Sequence, residues 1–418
     1  MQTHLTAEFS GTETGKEAAA ILRKCVHCGF CNATCPTYQL TGDELDGPRG
    51  RIYLIKQLLE GADVTRSTQL HLDRCLTCLN CQTTCPSGVA FGHLVEIGRT
   101  LVEKRVPRPP LEKAARWSLK EGLTSAWFAP VLRLGQALRP ILPKILKDKV
   151  PKRKSERTSE RTSERPSGKT RGARPRKILM LQGCVQPAML PNIDRAAIRV
   201  LDAAGIEIVH AAGTGCCGAL RTHLSDTGGG LDDMRRNIDA WSAQLLSGDI
   251  EAIISTASAC ALSIKEYGHA LAHDGAYAER AARVSGLARD LSELLPELVP
   301  VLKDKVRAAE SRRAAFHAPC TLQHGQKLRG GVESHMRALG FDVSAVYEES
   351  HLCCGSAGTY SVLQPAFARA LRDRKLSNLA RLDAECILSA NVGCIQHLQS
   401  GTATPVMHWI EMLETALN

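Results

Sequence analysis

Cys25-Val26-His27-Cys28-Gly29-Phe30-Cys31-Asn32-Ala33-Thr34-Cys35-Pro36 and, fifty residues on, Cys75-Leu76-Thr77-Cys78-Leu79-Asn80-Cys81-Gln82-Thr83-Thr84-Cys85-Pro86 share one spacing, C-x2-C-x2-C-x3-C-P. Three thiolates at intervals of three residues lie on one tight loop and wrap three corners of an iron–sulfur cubane. The following Pro turns the fourth Cys away, so that it can serve a different cluster. Zinc sites favour paired Cys-x-x-Cys elements, or Cys with His. Four thiolates closed by a proline, twice over, therefore predict an electron carrier with two [4Fe-4S] clusters.

The runs resemble those of bacterial two-cluster ferredoxins, in which the fourth Cys of each run ligates the other run's cluster. That rule assigns Cys25, Cys28, Cys31 and Cys85 to one cluster and Cys75, Cys78, Cys81 and Cys35 to the second. Around the runs the sequence reads as helix: residues 17–24 lead into the first, residues 51–60 carry apolar side chains at helical spacing, and residues 93–104 close the unit. The small ferredoxin fold leaves fewer residues between its runs and uses strands. An all-helical ferredoxin domain is therefore expected over residues 1–110.

At 418 residues the chain is long enough for two or three domains with sizeable cores. Seventeen cysteines would suggest disulfides in a small secreted protein, but residues 1–15 are polar and predict no signal peptide. Cysteine clusters in such a chain point to metal ligation in a reducing compartment. No apolar run approaches the roughly 18 residues of a membrane span, so a cytoplasmic protein is expected, with room for a peripheral position on a membrane. The net charge of +10 sits in one place, with fourteen Lys/Arg against four Asp/Glu between Lys144 and Lys177. There Ser155-Glu156-Arg157-Thr158 recurs through Arg165 and is followed by Pro166, Gly168 and Pro175. Such a stretch has almost nothing to bury, so residues 151–177 are expected to be a flexible basic linker. It has no interleaved aromatics to stack bases, which argues against a nucleic-acid partner. Ahead of it, residues 111–150 read as a basic helical segment broken by Pro130, Pro140 and Pro143, with Trp117, Trp127 and Phe128 among its apolar residues. This is either a helix packed on the first domain or an interfacial segment at a membrane.

After the linker the chain alternates strand and helix, twice in the same order. A strand ending at Gln182 precedes Cys184, a strand at 206–210 precedes Cys216-Cys217-Gly218, and a strand at 252–256 precedes Cys260. The pattern returns as 313–317 before Cys320, 341–347 before Cys353-Cys354-Gly355, and 387–390 before Cys394, the cysteines being offset by 136, 137 and 134 residues. This is an internal repeat, and its βαβαβ order predicts parallel sheets with helical crossovers in modules at 178–310 and 311–418. Ligands bind at the carboxyl edge of such sheets. Cys184, Cys216, Cys217 and Cys260 should therefore converge on one point, and Cys320, Cys353, Cys354 and Cys394 on another. Gly218 and Gly355 would let the backbone turn tightly beside them. Cys386 starts a strand and is expected at the opposite edge, a free structural cysteine. His317, His324, His351 and His397 have no ligand spacing that compels a role. Gly228-Gly229-Gly230 lacks a preceding strand and the dinucleotide spacing, so no flavin or NAD site is expected on this chain.

Two ferredoxin runs followed by two Cys-Cys-Gly modules resemble the iron–sulfur subunits of glycolate oxidase (glycolate dehydrogenase). The resemblance extends to Pro48-Arg49-Gly50-Arg51, Cys85-Pro86-Ser87-Gly88-Val89 and the closing His408-Trp409-Ile410-Glu411. It implies an α plus α/β chain within a multisubunit flavoenzyme, passing electrons from FAD-binding subunits that oxidise glycolate to glyoxylate towards quinone or another membrane acceptor. A position at the inner face of the cytoplasmic membrane goes with that role. Subunits of lactate-utilisation, anaerobic glycerol-3-phosphate and heterodisulfide-reducing complexes share the architecture. In the heterodisulfide reductase version each module ends in Cys-x-x-Cys and supplies five ligands to a noncubane cluster. Here the first member of that pair is Ala257 in one module and Asn391 in the other, leaving four thiolates in each.

Overall fold

A computed structural model describes residues 1–141, 176–308 and 311–417. The expected linker lies outside the described residues except for its last two positions, as does the 142–150 end of the basic segment.

The first unit is helical throughout. Helices Glu13–Lys24, Pro48–Leu59, Arg66–Asp73 and Phe91–Arg105 surround the two cysteine runs, and their apolar faces meet in a core that includes Leu22, Ile55, Leu58, Leu94 and Val95. Both runs follow one backbone path. Each turns left-handed at the second and fourth residue after its first Cys: His27 (φ 59°) and Gly29 (φ 88°), then Thr77 (φ 49°) and Leu79 (φ 60°). A left-handed Leu is rare, and its presence here shows how strongly the loop geometry is imposed.

The basic segment forms two helices, Pro110–Thr124 and Phe128–Ala137. The break falls at residues 125–127 and not at Pro130, which was expected to interrupt the helix. Pro130 lies in the first turn of the second helix, where a backbone N–H has no intrahelical acceptor to lose. The first of these helices is tied to the repeat that follows by Arg221, whose guanidinium donates to both carboxylate oxygens of Glu121 (2.9 and 2.8 Å), and by Lys120 on Asp226 (2.9 Å).

Each cysteine-rich module is a four-stranded, all-parallel sheet. The first contains β1 (Arg176–Leu181), β2 (Ile206–Val209), β3 (Ile250–Ser255) and β4 (Ala288–Asp290), ordered β2-β1-β3-β4. The second contains β5 (Ala314–Phe316), β6 (Val343–Ala345), β7 (Cys386–Ser389) and β8 (Val406–His408), ordered β6-β5-β7-β8. The repeat is therefore topological as well as sequential. The fourth strand of each is additional to the expected βαβαβ order. At three residues, Ala-Arg-Asp and Val-Met-His, these strands are too short to show an alternation.

The first module has a core of its own around Leu179, Ile238, Trp241 and Ile253, and a second, larger core is common to both modules. Ile178, Ile193, Val200 and Leu298 of the first pack in one continuous cluster with Phe316, Met336, Leu388 and Trp409 of the second. Helix Asn192–Ala203 lies against helix Trp409–Thr415, with Arg199 on Glu414 at 2.8 Å. The junction is also hydrogen-bonded at the carboxyl edges of the sheets. Ser258 N–H donates to Ala390 O (3.0 Å), and His408 Nε2 donates to Thr256 O (2.9 Å). Burial pushes the His408 imidazole down to about 3, so the ring is neutral; its Nδ1 accepts from Ile410 N–H (3.2 Å) while Glu411 accepts from His408 N–H (2.9 Å). The closing His-Trp-Ile-Glu stretch thus caps its helix and clamps one module to the other.

Candidate metal centres

None of the seventeen cysteines is in a disulfide. In the helical unit the runs are interleaved. The thiol neighbours of Cys31 are Cys25 and Cys28 of its own run and Cys85 of the other; burial first, then these neighbours, raise its pKa to about 11. Cys81 is surrounded by Cys78, Cys75 and, from the first run, Cys35, and burial followed by these thiols pushes it up as well. Thiols crowded in this way are held protonated until a metal displaces the protons. Thr77 N–H points at Cys75 Sγ (3.4 Å), the kind of contact that tunes a cluster's potential. The donor set fits iron–sulfur clusters: four thiols per group, and backbone N–H groups directed at sulfur.

The environments of the groups differ. Cys28 is exposed, and it is flanked by Val26 and Phe30, 69% and 64% exposed. Cys35, Cys75 and Cys81 are buried. Against Cys35 lies Arg51, only 1% exposed. Its guanidinium donates to Thr37 Oγ1 (3.2 and 3.1 Å) and to His71 O (2.8 Å), with Nη1 4.0 Å from Cys35 Sγ. Thr37 Oγ1 in turn is 3.3 Å from Cys35 Sγ. Asp46, wholly buried, is 3.7 Å from Arg51 and accepts from Arg74 (2.8 Å), with His71 Nδ1 2.9 Å away. Pro48-Arg49-Gly50-Arg51 is explained by this arrangement. Pro48 opens the helix, a side chain at Gly50 would meet Glu44 O at 2.2 Å, and Arg51 brings a cation to the buried thiols. On the far side Arg99 donates to Leu72 O (3.0 and 2.8 Å) and to Cys75 O. Neither arginine's role was readable from spacing, because Arg51 reaches the Cys35 thiol and Arg99 the Cys75 carbonyl from helices outside the cysteine runs.

In the modules the eight cysteines gather at the carboxyl edges of the strands as expected. Cys184, Cys216, Cys217 and Cys260 form a contiguous chain of thiols, as do Cys320, Cys353, Cys354 and Cys394; Cys354 Sγ lies 3.4 Å from Cys394 Sγ. Gly218 (φ 91°) and Gly355 (φ 88°) are left-handed, and their N–H groups point at Cys216 and Cys353 Sγ, both at 3.4 Å. Asn391, in place of the extra Cys of the five-ligand motif, directs Nδ2 at Cys394 Sγ (3.8 Å). The second set is entirely buried and has its own cation. Lys375 donates to Glu349 O (2.6 Å), and its amine is pushed down by burial while the neighbouring Cys320, Cys354 and Cys353 act the other way. Cys386 opens β7, away from the set, with Sγ 3.9 Å from Arg313 O. His324 bonds His351 O (2.9 Å) and Thr83 (3.2 Å), and His397 bonds Ala368 O (3.0 Å).

The three parts of the chain meet at these edges. Cys78 touches Cys320, so the second run abuts the second module; Leu76, Tyr360 and Leu371 pack around the contact, and Tyr360 Oη donates to Arg74 O (3.2 Å). The first module's Cys184, Cys216, Cys217 and Cys260 instead line a cavity of about 2190 Å³ shared by all three parts.

Residues 21–89 match the 4Fe-4S dicluster domain, and residues 178–265 and 314–399 each match the cysteine-rich domain. The chain is 50% identical to the glycolate oxidase iron-sulfur subunit of Escherichia coli, over the whole of this chain and 99% of that protein. It is 29% identical to the probable glycolate oxidase iron-sulfur subunit of Bacillus subtilis, over 91% of this chain and 89% of that one. Lactate utilization protein A of Bacillus licheniformis is 24% identical over 57% of this chain. With the dicluster domain, the paired cysteine-rich domains and full-length similarity in agreement, the chain is an iron–sulfur, electron-transferring component of an oxidoreductase and belongs to the glycolate oxidase iron-sulfur subunit family.

Proposed function

We propose that this chain is the electron-transfer subunit of a flavin-dependent glycolate-oxidising complex, taking electrons from an FAD-bearing partner and passing them towards quinone. Its division is 1–110 for the dicluster domain, 111–150 for the basic helices, 151–177 for the linker, and 178–310 and 311–418 for the modules. Cys25, Cys28, Cys31 and Cys85 hold the first [4Fe-4S] cluster and Cys75, Cys78, Cys81 and Cys35 the second. Cys184, Cys216, Cys217 and Cys260 hold a further cluster in one module, and Cys320, Cys353, Cys354 and Cys394 another. Bound in these sets, the clusters supply one-electron transfer.

The observation that carries the reading is the serial order of the sets. The first opens to the surface at Cys28, interleaves with the second through Cys35 and Cys85, and the second touches Cys320. Anaerobically purified full-length protein is expected to contain more than about eight iron per chain, and in the presence of the flavoprotein partner glycolate should bleach its visible absorption. A count far below eight would defeat the assignment of the runs.

We assign the flavin-bearing partner to the exposed end, where Val26 and Phe30 flank Cys28 and Tyr53, 45% exposed, has its ring 6.3 Å from that of His27. Val26→Asp/Phe30→Asp is expected to slow glycolate-driven reduction of the clusters at least about tenfold, an ordinary consequence of charging an interface core, with iron content unchanged. Reduction at the wild-type rate would move the docking face elsewhere.

Trp117, Trp127, Val131, Leu134 and Leu138 are exposed on, or at the ends of, the two helices before the linker. No helix among the described residues is long and apolar enough to cross a membrane. We assign the apolar stripe to the surface of the cytoplasmic membrane, assisted by the basic stretch that follows it. The full chain should float with vesicles containing anionic lipid, and Trp127→Glu/Val131→Glu should stay at the bottom of the gradient. Equal flotation of both proteins would remove the membrane assignment.

A further inference from the structure

His317 follows β5 directly and is 3% exposed. Its backbone N–H donates to Leu388 O (2.8 Å), and its Nδ1 is 3.1 Å from Ser389 Oγ, itself wholly buried. Its Nε2 is buried and has no hydrogen-bond partner among the described residues. A buried polar nitrogen left this way gives up its hydration with nothing in return, so the position needs an explanation. One is at hand: a ring nitrogen of His317 and the Sγ atoms of Cys354 and Cys394 all lie within 4.8 Å of one another.

The two modules make the position diagnostic. β1 and β3 pair Leu181 with Ser255. β5 and β7 pair Phe316 with Leu388, which sets His317 beside Ser389. The places correspond, and Leu181, 1% exposed, stands where His317 stands. The serines correspond too, but Ser255 Oγ accepts from Ala257 N–H (3.2 Å), whereas Ser389 engages the imidazole. A ligating imidazole is normally fixed by a hydrogen bond from its other ring N–H, which sets tautomer and orientation. With Nδ1–H donating to Ser389 Oγ, Nε2 keeps a lone pair free to ligate.

Taking Cys320, Cys353, Cys354 and Cys394 as cluster ligands, as proposed above, we infer that His317 Nε2 is a further iron ligand of the second module, giving it a mixed imidazole–thiolate cluster. The first module, with Leu181, is thiolate-only. Imidazole is neutral, so the cluster carries one negative charge less than a fifth thiolate at this place would give it, the difference that raises the potential of Rieske centres over all-thiolate ones. The two modules would then be electronically unequal despite their common fold, and the module in contact with Cys78 is the one that carries the imidazole.

The test uses the full-length holoprotein, prepared with 15N-labelled or natural histidine and reduced, and read by pulsed EPR together with iron content. Expected are a histidine nitrogen coupling of ligand strength and iron in excess of about eight per chain. His317→Leu, which copies the first module, should lose the coupling and part of the excess iron. His317→Cys should keep the iron, lose the coupling and shift one midpoint potential downwards. Excess iron with no histidine coupling in the wild type, or coupling that persists in His317→Leu or His317→Cys, overturns the inference and leaves the four-cysteine assignment standing. Iron no greater than about eight overturns both. If His317→Leu fails to fold, the labelled wild type and His317→Cys together decide the matter.

Discussion

Arg51→Leu is expected to lower the unfolding free energy by about 3–5 kcal/mol, the usual loss on removing one member of a buried charged network, and to leave the second ligand set short of iron. The guanidinium is buried and serves Thr37, His71 O, Asp46 and the neighbourhood of Cys35 together. Leucine would fill part of the space and leave those acceptors without their donor, in a region closed to water. It would also remove the positive charge that offsets thiolate charge when Cys35 is metal-bound. Arg51→Lys keeps the charge but not the planar fork, and should fall between the two. Denaturant unfolding and iron analysis check this; an Arg51→Leu protein with wild-type stability and iron content would show that the guanidinium is dispensable.

Gly355→Ala is expected to damage the second module almost as severely. Gly355 has φ 88°, which costs an L-residue about 1–2 kcal/mol, and the new Cβ would lie 2.4 Å from Ala368 O and 3.1 Å from Ala368 Cα. Both are backbone atoms of helix Pro365–Ala380, so relief requires moving the helix or the Cys353–Cys354 loop. The combined loss should exceed about 3 kcal/mol, which single substitutions reach only through a specific packing or backbone fault. Gly330→Ala is the control. It too is left-handed (φ 79°), but nothing lies within 4 Å of its added Cβ, so it should cost only the conformational part, about 1–2 kcal/mol. Equal stabilities for the two variants would refute the steric argument.

Much of the site was legible in the sequence because it depends on local spacing. A C-x2-C-x2-C-x3-C-P run dictates a loop whatever surrounds it, and His27/Gly29 and Thr77/Leu79 adopt the same left-handed turns despite different side chains. The offsets of 136, 137 and 134 residues likewise place Cys184, Cys216, Cys217 and Cys260 in register with Cys320, Cys353, Cys354 and Cys394, since a cysteine after a parallel strand has one sheet edge to occupy. What escaped was either short or remote. β4 and β8 hold three residues each, below the length at which a period can be seen. The helix break at 125–127 was misplaced to Pro130 because proline is disruptive only beyond the first turn.

By itself, then, the sequence determined that the chain has two cysteine runs of cluster-forming geometry and a duplicated parallel α/β unit, because thiol spacing, strand–helix alternation and repeat offset are local properties that survive without knowledge of contacts. Only the tertiary structure decided which groups stand next to one another. Arg51 and Lys375 beside thiols, Cys78 against Cys320, one core shared by both modules, and an imidazole at Cys354 and Cys394 whose Nε2 has no partner among the described residues are all products of packing. Residues far apart in the chain are brought to these positions by burial of apolar surface, which is non-directional and leaves no spacing in the sequence by which the neighbours could be named.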